Sequence, residues 1–81
     1  MKEGQIRWHC RRGMKELDDL LVRFCDQYLD RLKPDERAAF IQLLELQDPV
    51  LMDYLSGRMQ PADEVQTYVI KWIRDSARIC D

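Results

Sequence analysis

The sequence predicts an all-α fold: a small antiparallel helical bundle of four to five helices, with residues 1–81 forming a single domain. Three observations predict it. Apolar residues recur at helical rather than alternating spacing, most clearly at 14, 17, 21, 24, 28 and 32. Ten Leu stand against only ten Val, Ile and Thr combined, so β propensity is low. Glycine at 4, 13 and 57 and proline at 34, 49 and 61 cut the chain into segments of helix length.

The elements follow in order. Gln5 to Arg12 predicts a short helix that stops at Gly13. Met14 to Leu32 carries the apolar stripe above, with Lys15, Asp18, Asp19, Arg23, Asp26, Asp30 and Arg31 on the other side. The third helix opens at Pro34, because proline suits a first helical position and Asp35 and Glu36 suit the positive end of the helix dipole. Phe40, Leu43 and Leu44 form its apolar stripe. Asp48 is the expected N-cap of the next helix, with Pro49 as its first residue. Leu51, Met52 and Leu55 are its inner side, and Gly57 is the expected left-handed cap. Pro61 is expected to open the last helix, which runs through Val65, Val69, Trp72 and Ile73. The tail, Ala77 to Asp81, is expected to fray.

Composition excludes several classes. The chain has 81 residues, and 13 basic against 15 acidic side chains give a net charge of −2. That is too short for a barrel enzyme of about 250 residues. The acidic balance argues against a general nucleic-acid binder, and no apolar run approaches the roughly 18 residues of a membrane span. No secretory signal stands at the N-terminus, where Lys2 and Glu3 lead into a polar, Arg-rich stretch, and the cysteine usage makes a reducing compartment the expectation. Cys10, Cys25 and Cys80 are odd in number and widely spaced. A disulfide framework and a metal site are therefore not expected. His9 and Cys10 are sequence neighbours whose side chains diverge, so no catalytic pair is expected either.

One segment resists sorting into core and surface. Arg7 to Lys15 packs four cations and an indole around Gly13, inside an acidic protein. Gly13 has two compatible readings. It is a hinge supplying positive φ or relieving a clash, or its bare backbone admits another molecule. Arg12 and Glu16 either form an ordinary i, i+4 pair, or Arg12 aims its planar fork of donors outward with Glu16 beside it. Trp8 is either core or an interface anchor, since Trp and Arg concentrate at binding hot spots.

The stretch Arg11-Arg12-Gly13-Met14-Lys15-Glu16-Leu17-Asp18 resembles the signature of the SdhE-type succinate dehydrogenase assembly factors, the flavinator family, whose hallmark RGxxE is matched by Arg12, Gly13 and Glu16. Leu43-Leu44-Glu45 followed by Asp48-Pro49 is similar to the family's second block, LLExxDP. Val50 and Tyr54 depart from it, standing where the family often has an acidic residue and Trp. The resemblance implies a small helical chaperone, not an enzyme. It would bind the flavoprotein subunit of succinate dehydrogenase, or of fumarate reductase, and promote covalent FAD attachment there. It would hold no cofactor tightly and act on FAD carried by the partner. The expected partner-binding residues are Arg12, Gly13, Glu16, Arg11 and Trp8, on a monomer that neither binds nucleic acid nor inserts into a membrane. The alternative is a regulatory interaction protein of antitoxin type. A small DNA-binding domain reading Arg7, Arg11 and Lys15 as one basic row is the third.

Overall fold

The computed structural model describes the backbone of residues 2–79 and the side chains of residues 2–76. Five α-helices follow one another: α1 (Glu3–His9), α2 (Lys15–Tyr28), α3 (Pro34–Leu44), α4 (Asp48–Ser56) and α5 (Glu64–Ile79). No strand occurs among the described residues.

Local chemistry explains most of the boundaries. Pro34 opens α3 as expected, and Glu36 Oε1 accepts the Lys33 N–H at 2.9 Å. Gly57 ends α4 in the left-handed region at φ 87°, so that the Arg58 and Met59 amides turn back onto the Asp53 carbonyl at 3.0 and 3.2 Å.

Four boundaries differ from expectation. The first helix spans Glu3–His9 and not Gln5 to Arg12, leaving Arg11 to Met14 as a true link. The second ends at Tyr28, and Leu29–Arg31 tightens into a 3-10 turn. The proline at 34 forces its predecessor Lys33 into extended backbone, and the helix must be finished before that point. Gln47, not Asp48, caps α4, which places Asp48 and Pro49 in the first turn and frees the Asp48 carboxylate for another role. The last helix begins at Glu64 and not at Pro61. Asp63 Oδ1 accepts the Val65 N–H at 2.7 Å and the Gln66 N–H at 3.3 Å, so this carboxylate defeats the proline as the start signal. Of the tail expected to fray, the backbone is helical through Ile79; Cys80 and Asp81 lie outside the described residues.

The core sits where α5 packs on α2, α3 and α4, with α1 laid against α3. Leu17, Leu21, Phe24, Phe40, Leu43, Leu51, Val69 and Ile73 are buried there. Phe24 is its hub. Its ring centroid lies 5.3 Å from Phe40 and 5.4 Å from Trp72, the latter edge-on at 87°. Tyr28 closes the triangle at 5.2 Å from Trp72. Such tilted and edge-to-face contacts add about 0.5–1.5 kcal/mol each beyond simple burial. This aromatic wedge fixes α2, α3 and α5 together, and it leaves the α1–α2 link to be positioned by polar contacts.

Candidate protein-docking site

Arg12 supplies the main polar contact. Its guanidinium points into the molecule, with the side chain only 13% exposed. Nη1 donates to the Leu46 carbonyl at 3.3 Å, and Nη2 donates to the Leu44 carbonyl. Nη1 also lies 3.5 Å from Asp48 Oδ1. The reason is the end of α3. The last carbonyls of a helix have no intrahelical donors, and the helix dipole favours a cation there. A planar fork satisfies the last α3 carbonyl, that of Leu44, the Leu46 carbonyl just beyond the helix and a carboxylate at once. The Arg12 N–H meanwhile donates to Asp18 Oδ1 at 3.1 Å, fastening the link to the first turns of α2.

Two sequence expectations are corrected here. The outward-aimed Arg12 fork is overturned, because the α3 terminus offers it buried acceptors. The i, i+4 pair with Glu16 is also absent, since α2 starts only at Lys15 and Arg12 lies ahead of it. Glu16 is exposed in the first turn of α2, where a negative charge is favourable on its own.

Gly13 is exposed, and it is not the hinge that positive φ would have made it; Gly57 alone has that conformation among the described glycines. A Cβ built on Gly13 would meet nothing closer than Asp48 Oδ2, at 3.8 Å, an ordinary contact. The fold therefore has no steric or conformational need for glycine at this position.

The surroundings are unusually apolar for a surface. Trp8 is 71% exposed and Met14 39%. Trp8 is thus no core residue. Arg11 is exposed as well, its amide bonded to the Trp8 carbonyl at 3.1 Å, which ties the two expected site residues into one turn. Trp8, Arg11, Gly13 and Glu16 all face solvent around the link that Arg12 anchors from within. Two residues belong to this site that the expected set omitted, Asp48 and Asp18. The LLExxDP block was the signal for Asp48, because a second motif far along the chain has to meet the first somewhere.

His9 is exposed whereas Cys10 is fully buried, so the two do not form a nucleophile and its base. Cys25 is buried as well, and burial is the main cause that pushes both thiols up, away from the reactive thiolate. Among the described residues no group of three or more His, Cys, Asp or Glu is placed to hold a metal. No described helix is long and apolar enough to cross a membrane. The basic row of Arg7, Arg11 and Lys15 is broken up as well. Arg7 is paired with Glu3 at 3.3 Å and with Asp26 at 2.5 Å, and the three residues do not share a helix.

The chain matches the family model described as "Flavinator of succinate dehydrogenase" over residues 4–77. It is 40% identical over 78 residues to the FAD assembly factor SdhE of Yersinia pseudotuberculosis serotype I (strain IP32953), covering 94% of this chain and 89% of that one. To the FAD assembly factor SdhE of Coxiella burnetii (strain RSA 493 / Nine Mile phase I) it is 43% identical over 70 residues, covering 86% and 85%. The Photorhabdus laumondii protein of the same name is 38% identical over 73 residues, covering 90% of this chain and 83% of that one. With Arg12, Gly13 and Glu16 in place and relatives of this closeness along almost its full length, the chain belongs to the flavinator of succinate dehydrogenase family, a family of assembly factors rather than catalysts.

Proposed function

We propose that this protein binds the flavoprotein subunit of succinate dehydrogenase, through the α1–α2 corner, and promotes covalent attachment of FAD to that subunit. The observation that carries the reading is Gly13. It is exposed, has room for a side chain and has ordinary backbone geometry, yet it stands amid exposed Trp8, Arg11 and Glu16. A position that the fold leaves free to be larger is explained by a second polypeptide that must come close to its backbone. The names borne by the relatives, FAD assembly factors, agree with this role.

The exposure of each side chain supports a division of labour. Arg12 shapes the corner from inside. Trp8 supplies apolar anchor area, Arg11 a cation and Glu16 a carboxylate toward the partner. Binding of this kind accelerates attachment only by favouring one conformer of the client, so the corner must fit the flavin-accepting form better than the others. FAD stays with the client, and this protein holds none tightly. Fumarate reductase flavoprotein is a second client of the same chemistry. The protein works as a monomer in the cytoplasm, without nucleic acid or membrane insertion.

Co-expression with the flavoprotein subunit tests the proposal. Covalent flavin is read by in-gel fluorescence and complex formation by co-purification. Gly13→Arg and Glu16→Ala should each reduce both while leaving this protein folded. If both variants flavinylate and co-purify like the parent, the corner is not the docking site.

A further inference from the structure

A second surface lies where the α4–α5 link meets the C-terminal half of α5. It is an open cleft of about 710 Å³. Its walls bring Tyr54, Met59, Pro61 and Ile70 together with two cations, Lys71 and Arg74. Lys71 and Arg74 are three residues apart on α5 and so share one face of the helix.

Arg74 is exposed and unmatched. A Cβ on Gly57 would meet its Nη1 and Nη2 at 3.7 Å, so the guanidinium lies beside the bare backbone that the left-handed cap of α4 presents. Among the described residues, however, neither Arg74 nor Lys71 makes an ion pair or a side-chain hydrogen bond. One carboxylate, Asp75, also lines the cleft, which leaves cations in excess locally although the whole chain is acidic. Met59 is 47% exposed at the rim, an apolar group with no partner of its own chain over it.

We propose that this cleft binds an acidic peptide segment, in which a Glu or Asp carboxylate sits on Arg74 and Lys71 and a neighbouring apolar side chain packs on Met59 and Tyr54. A planar guanidinium favours a two-oxygen acceptor such as a carboxylate. The volume and the apolar wall suit a stretch of polypeptide rather than a small inorganic anion, which would leave most of the cleft unfilled. Recognition is of charge and apolar surface together, so a simple alternating Glu/Leu sequence carries what the site reads. The inference stands apart from the flavoprotein reading, since it uses none of the residues of the α1–α2 corner.

The test is a titration of the ¹⁵N-labelled full chain with acetyl-Leu-Glu-Leu-Glu-Leu-Glu-amide, followed by NMR. The Gly57 and Lys71 amides and the Arg74 Nε–H should shift and saturate, with a Kd on the order of 1 mM or tighter. The double variant Lys71→Gln/Arg74→Gln, its fold checked by the rest of its spectrum, should bind at least about tenfold more weakly. The same peptide with Gln for Glu should bind equally weakly. Three results would overturn the proposal: no saturable shift at these positions up to about 10 mM peptide, well above that expected Kd; equal binding of the Gln peptide; or inorganic phosphate saturating the same signals as tightly as the acidic peptide, which would make this a site for a small oxyanion.

Discussion

Arg12 and Glu16 belong to one short motif and are expected to respond to substitution in opposite ways. Removing the Arg12 side chain strips the donors from the Leu44 and Leu46 carbonyls and leaves Asp48 without its cation. Arg12→Ala should therefore lower stability by about 1–3 kcal/mol, read as a fall in the urea midpoint. Arg12→Lys keeps the charge but not the fork, and should recover only part of the loss. Glu16→Ala, on an exposed first turn, should stay within about 0.5 kcal/mol of the parent while impairing flavin attachment. Gly13→Ala separates fold from docking more finely. Its midpoint should hold or rise slightly, because the new methyl fits without strain and stiffens the unfolded chain. The identity of these residues as a unit was legible in the sequence, but the direction of the Arg12 side chain was not. Its acceptors lie 32 and 34 positions away, beyond anything that local spacing encodes.

Among the elements, what was legible divides by how local the deciding contact is. Pro34 and Gly57 act on their own backbone, and both ends fell where they were expected. Gly57→Ala should cost about 1 kcal/mol for the left-handed conformation, visible as a lower melting temperature. The start of α5 was misread because Pro61 and Asp63 are both plausible openings, and a hydrogen bond from the Val65 amide decides between them. Asp63→Ala should then weaken the first turn of α5 by about 1 kcal/mol, detectable as faster amide exchange at Val65 and Gln66. Of the stripe read from Met14 to Leu32, Leu17, Leu21 and Phe24 are buried as expected, whereas Met14 is exposed ahead of α2 and Leu32 lies half-buried beyond it. That Phe24 would meet Trp72 edge-on, joining α2 to α5, depended on tertiary packing and had no signature in either helix alone.

For the molecule as a whole, pH response and fluorescence report the two sides of the same architecture. The Cys10 and Cys25 thiols are held protonated in the fold by burial, whereas in the unfolded chain they ionise at about 9. Above that pH the unfolded state binds fewer protons than the folded one, so stability should decline as pH rises. The decline is at most about 1.4 kcal/mol per pH unit for each thiol, and it is absent from these groups below pH 8. Urea midpoints from pH 7 to 10 measure it. The two tryptophans split along the same line: with Trp72→Phe, the remaining Trp8 should be freely quenched by iodide, and the flavoprotein partner should shield it. Because Arg12 borrows its acceptors from the end of α3, the outward shape of Gly13 and Glu16 is not a property of their own stretch of chain. A synthetic peptide spanning residues 7–20 would present the right letters on the wrong contour, and so make a poor competitor. Transplanting the five residues Arg12 to Glu16 onto a foreign scaffold should fail likewise unless the helix end that seats the guanidinium travels with them.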